Sequence, residues 1–182
     1  MSLPLDSYPA ALREILALDG NGERWMPLAG SLPLDPAIGK RIKASGLFAG
    51  SAHPEAATSG LWLYFSRLDE SHEISQEISS SEGSFWHGIM HRREPDAGNA
   101  AYWFRRVGRH PVFPALLKAA GEITASYPGP RFTLGGQWDP FAFIDLCERA
   151  RQAPGSKTEE MAMEIQVAEW QLLFDYCARR PA

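Results

Sequence analysis

Apolar residues return at three- and four-residue intervals along most of this chain, the spacing of α-helices that bury one face. Tyr8 to Leu18 carries Leu12, Ile15 and Leu16 and stops at Asp19-Gly20. Asp35-Pro36 opens a second helix, an N-cap residue followed by proline at the first helical position, which ends near Gly46. A longer helix is predicted from Pro54 to about Ile78, then a turn over Ser79–Gly83, then a helix from Ser84 to Glu94 that Pro95 ends. Asp96 caps the next helix, Ala97 to Val107, and Gly108 stops it. His110-Pro111 reopens a helix through Leu116 and Ile123. Beyond the Tyr127–Gln137 loop, Asp139-Pro140 caps Phe141–Gln152, and Ser156 with Glu159 forms the capping box of a last helix running to about Ala178.

Only Arg131–Leu134 alternates at period two, as a short strand would, and no repeat of fixed period recurs. The expected fold is therefore all-α: one domain over residues 1–182, a bundle of about six to eight helices joined by Pro/Gly-rich loops. The Tyr127–Gln137 loop is the only candidate domain boundary, and it would leave a C-terminal piece too small to stand alone.

Composition narrows the class. The 182 residues are 45% hydrophobic and 11% aromatic, values of a globular protein. A formal net charge of -4 argues against a general polyanion binder. Cys147 and Cys177 have neither CxxC spacing nor disulfide-framework density and read as reduced, semi-buried thiols without a base partner. No stretch is long and apolar enough for a bilayer, and MSLPLDSYPA lacks the basic-then-apolar start of a signal peptide. The expectation is a cytoplasmic protein with no membrane partner; abundant aromatics make a homodimer a reasonable assembly.

Chemistry concentrates between Glu82 and Phe113, where His87, His91 and His110 lie among five arginines and six aromatics. Leu61, Phe65, Leu68 and His72 follow helical spacing, which puts His72 on an inward stripe. His87 and His91 are four apart and share a face that Glu94 continues. A hairpin about Ser80–Ser81 would bring His72 level with that pair, and three imidazoles are a usual ligand set for zinc, iron, nickel or manganese. Glu94 and Glu73 are the candidate proton-transfer residues, with Asp69 and Glu77 also near enough to ligate or support. The competing reading makes these histidines ordinary polar core or surface groups; HEISQ is not H-E-x-x-H, so the zinc-protease motif is absent.

Arg92 and Arg93 close one helix, and Arg105, Arg106 and Arg109 close or follow the next, where positive charge complements the helix dipole. The functional alternative is a carboxylate or phosphate clamp from Arg92, Arg105 and Arg106, with Tyr102, Trp103 and Trp86 as a stacking wall and Asn99 at the Pro95 corner. Arginines interleaved with aromatics also suit single-stranded nucleic acid, but the acidic balance and the lack of a lysine-rich face argue against that partner.

The run WHGIMHRREPDAGNAAYWFRRVGRHP resembles a signature of a bacterial protein family of unknown function, over roughly Ser71 to Phe113. That resemblance implies a site in this segment but brings no reaction, cofactor or substrate. Two functions follow from the residues. One is metal-assisted hydrolysis or lyase chemistry on a small anionic substrate, with metal on His72, His87 and His91. The other is a non-catalytic binding or interaction module that uses the arginine and aromatic pocket without metal.

Overall fold

Side-chain caps start most of the longer helices. Asp35, Ser80, Asp96, Asp139 and Ser156 each accept a hydrogen bond from a backbone N–H in the first turn they precede. The computed structural model describes residues 2–44, 46–129 and 132–180. Among them are nine α-helices and no strand: α1 (Ala10–Ala17), α2 (Pro36–Lys43), α3 (Pro54–Tyr64), α4 (Leu68–Ser75), α5 (Ser81–Arg93), α6 (Ala97–Val107), α7 (Phe113–Ser126), α8 (Pro140–Arg151) and α9 (Lys157–Ala178). The fold is all-α, with one helix more than the upper expectation. Phe132–Leu134 is not a strand, and Arg131, which begins that expected segment, lies outside the described residues.

The extra helix comes from a break in the segment expected to run unbroken from Pro54 to Ile78. α3 ends where Ser66 takes a left-handed conformation (φ 58°). The Arg67 N–H reaches the Trp62 carbonyl at 3.0 Å, and the Ser66 N–H reaches that of Leu63 at 3.0 Å. Glycine usually occupies such a C-terminal turn. Here Arg93, from α5, holds serine in place: it donates to the Leu63 carbonyl at 2.6 Å and to Ser66 Oγ at 2.8 Å. Leu61 and Phe65 therefore do not share a continuous helical stripe with His72. α4 runs separately, packed on both α3 and α5.

α5 is buried from Glu82 to Arg93 although it carries two histidines, two arginines and a glutamate. Small residues admit it to the core. A Cβ at Gly88 would meet the Phe104 ring at 2.9 Å, and one at Gly60 on α3 would meet the Trp86 ring at 2.5 Å. α9 lies along the other side, with Met161 and Ile165 in one apolar cluster and Trp170 and Phe174 in a second. The Trp170 indole donates to the Gly60 carbonyl at 2.7 Å, so the α3–α9 crossing has a polar pin inside an apolar contact. Gly60→Ala is expected to force the buried Trp86 ring aside and to destabilise the fold by about 1–3 kcal/mol, read as a lower urea midpoint. An unchanged midpoint would show that this contact is looser than its geometry.

Candidate metal centre

α4 supplies His72 and α5 supplies His87 and His91, one turn apart. Their ring centroids lie 4.6 Å (His72–His87), 5.6 Å (His72–His91) and 4.7 Å (His87–His91) apart. One ring nitrogen from each falls within 4.8 Å of the other two. Zinc–nitrogen bonds of about 2.0–2.1 Å put tetrahedral ligand nitrogens roughly 3.3 Å apart. Closing the triad is therefore a matter of small side-chain adjustments.

The outer nitrogens of two of the three are held. His87 Nδ1 lies 2.8 Å from Ser75 Oγ, and His91 Nδ1 lies 2.9 Å from Glu94 Oε2. A hydrogen bond at Nδ1 fixes ring orientation and leaves Nε2 for another partner, the usual arrangement around protein-bound metals. Burial, with the nearby charges of His91 and His72, pushes His87 down to about 3, so its imidazole is neutral at physiological pH, the form that ligates. His87 and His91 are buried, while His72 is half-buried and gives the cluster its contact with the exterior.

α6 forms one wall. Trp103 packs on the His87 ring at 4.1 Å between centroids, and the Arg106 guanidinium lies 5.2 Å from the Trp103 ring. Arg106 also lies 6.0 Å from the ring of Tyr102, which is half exposed. On another side, a depression of about 460 Å³ is lined by Asp69, Glu94 and Asp96, with Arg93 also contributing.

The remaining expected site residues are dispersed. Glu73 is exposed and lines a groove between α2, α3 and α4 that none of the three histidines touches, so it is displaced from the proton-transfer role expected of it. Arg92 is fully buried: its guanidinium bonds Glu169 and Gln166 and sits 4.4 Å from the Phe143 ring centroid. It is a core ion pair rather than an open anion clamp. Trp86 is also fully buried, against Gly60, and offers no stacking face. Asn99 donates its backbone and side-chain N–H groups to Asp96 at 2.9 and 2.7 Å, as part of the α6 cap. Arg105 is exposed near Phe141 and lines a groove that His72, His87 and His91 do not touch. Burial pushes the Cys147 thiol up to about 11 and raises that of Cys177 too, consistent with unreactive core thiols.

Sequence reading missed two features. Ser75 orients His87; its signal was present, since it lies three residues after His72 on the same helix. Glu82 stands between His110 Nε2 (3.5 Å) and His53 Nδ1 (3.8 Å), with Tyr176 packed against both rings. No local spacing announces this second cluster, because it joins α5 to the starts of α3 and α7 and to the end of α9. No protein-family model, curated protein or solved structure matches the chain.

Proposed function

We propose that His72, His87 and His91 bind a divalent transition metal (zinc, iron, nickel or manganese) and that the protein uses it for hydrolysis or lyase chemistry on a small anionic substrate. The observation that carries this reading is the approach of three imidazole nitrogens to within 4.8 Å, two of the rings oriented by Ser75 and Glu94. A randomly buried histidine needs one hydrogen-bond partner; three that converge from two helices, two of them with the outer nitrogen already bonded, match a ligand set. A metal held by three protein ligands keeps a position for water, whose acidity it raises.

The chain's own groups then divide the work. Glu94 bonds His91 through Oε2 and is partly exposed, and its carboxylate is the group assigned to moving a proton. Arg106, with no carboxylate partner among the described residues, supplies positive charge beside Trp103 for the anionic end of a substrate. Trp103 shields His87 from water. The non-catalytic reading is weaker here, because Arg92 and Trp86 are in the core and cannot join Arg105, Arg106 and Tyr102 in one pocket.

The test is elemental analysis of untagged protein purified without chelators or metal columns. About one transition-metal ion per chain is expected. Protein that remains metal-free after incubation with each of the four ions would overturn the proposal.

A further inference from the structure

α6 also borders a second cavity, independent of the histidine triad. A groove of about 890 Å³ opens between the end of α6, the start of α7 and the segment leading into α8. That is the volume of an ordinary small-molecule site. None of His72, His87 or His91 lines it. Arg105 and Arg109 contribute positive charge, and neither is in an ion pair among the described residues. Phe113, Trp138 and Phe141 contribute aromatic surface. Phe141 is 39% exposed, and the Arg105 guanidinium lies 5.8 Å from its ring centroid.

Two further details concern the groove's polar groups. Trp138 Nε1 is a buried donor with no hydrogen-bond partner among the described residues. The one carboxylate in the groove, Asp139, is engaged in capping α8: its Oδ1 accepts from the Phe141 and Ala142 N–H groups at 2.9 and 3.2 Å. The groove thus carries two guanidinium groups without an ion-pair partner among the described residues, against one carboxylate committed to a helix cap, beside the partly exposed Phe141 ring. Lone arginines at a surface gain little from a small anion in water, and a lone apolar ring gains little from a small hydrocarbon; a ligand carrying both features uses both.

We propose that this groove binds a planar aromatic ring bearing an oxyanion, a carboxylate or a phosphate, with the ring against Phe141 and Phe113 and the anion on Arg105 and Arg109. The site is separate from the metal centre and needs no metal. Titration calorimetry on the full chain tests it with three probes: benzoate, phenyl phosphate and inorganic phosphate. At least one aromatic probe is expected to bind about tenfold more tightly than inorganic phosphate, because only it engages the rings. Preference between benzoate and phenyl phosphate identifies the anion, and either preference supports the site. The Arg105→Ala/Arg109→Ala double variant is expected to weaken that probe by about tenfold or more. Phe141→Ala is expected to erase most of its advantage over inorganic phosphate. These side chains are exposed, so the variants are expected to keep the wild-type melting temperature. His72→Ala is expected to leave binding unchanged, which separates this site from the metal proposal. Absence of aromatic-anion binding at millimolar concentration, undiminished binding by the double arginine variant, or equal loss on His72→Ala would each overturn it.

Discussion

Replacing His72, His87 or His91 by alanine is expected to reduce bound metal from about one ion per chain to near zero, because each removes one of the three proposed ligands. The same variants are expected to lose the stabilisation that metal confers. A ligand at about a hundred times its Kd stabilises the folded state by about 2.7 kcal/mol, which in a chain of this size raises Tm by roughly 5–10 °C. Wild-type protein should show that rise on adding metal, and the three variants should not. His72 is the most informative of the three, since it is only half-buried and its removal leaves the smallest hole. Ser75→Ala should keep the fold and all three ligands yet weaken metal affinity about 10–100-fold, because His87 loses the partner that orients it. Glu73→Gln, on a different groove, should change nothing. Wild-type metal uptake by all three alanine variants would refute the site.

Glu169→Ala is expected to cost about 3–5 kcal/mol of stability, because it leaves the Arg92 guanidinium charged and unpaired in the core. In a domain of this size that lowers Tm by about 6–20 °C. Arg92 and Glu169 both have wholly buried side chains, joined by contacts of 2.5 and 3.2 Å. Burial pushes the Glu169 carboxyl up, and the Arg92 charge opposes that shift. Their attraction therefore offsets a large desolvation cost and does not by itself make the core stable. The double variant Arg92→Met/Glu169→Leu accordingly should recover most or all of the loss, since apolar side chains of similar length fill the same space beside Phe143 without the desolvation penalty. Thermal melts of the single and double variants decide this. A single variant as stable as wild type would mean that water reaches Arg92. A double variant no better than the single would mean that the ion pair specifies this packing.

The pair also explains where sequence reading stops. Two arginines at the end of a helix suggest a solvated terminus, because arginine is rarely buried. The carboxylate that admits Arg92 to the core lies 77 positions later in the chain, and the carbonyl and hydroxyl that hold Arg93 lie 30 and 27 positions earlier. No local spacing encodes such partners. The same holds for Trp86, whose burial depends on the gap left by Gly60 across a helix crossing.

Local chemistry alone determined the all-α class and most helix starts. Asp35, Asp96, Asp139 and Ser156 cap first turns with their own side chains, a short-range interaction that survives any tertiary arrangement. It also determined that His87 and His91 share a face, since four residues make about one helical turn. Tertiary structure decided the rest. It broke the helix at Ser66, where Arg93 bonds across a left-handed serine. That break makes α4 a separate helix packed on α5, and so places His72 beside His87 and His91. It turned Arg92 and Trp86 inward and Arg105 toward a different groove. Helix formation depends on neighbours within one turn; which charges are desolvated, and which rings meet, depends on residues that only folding brings together.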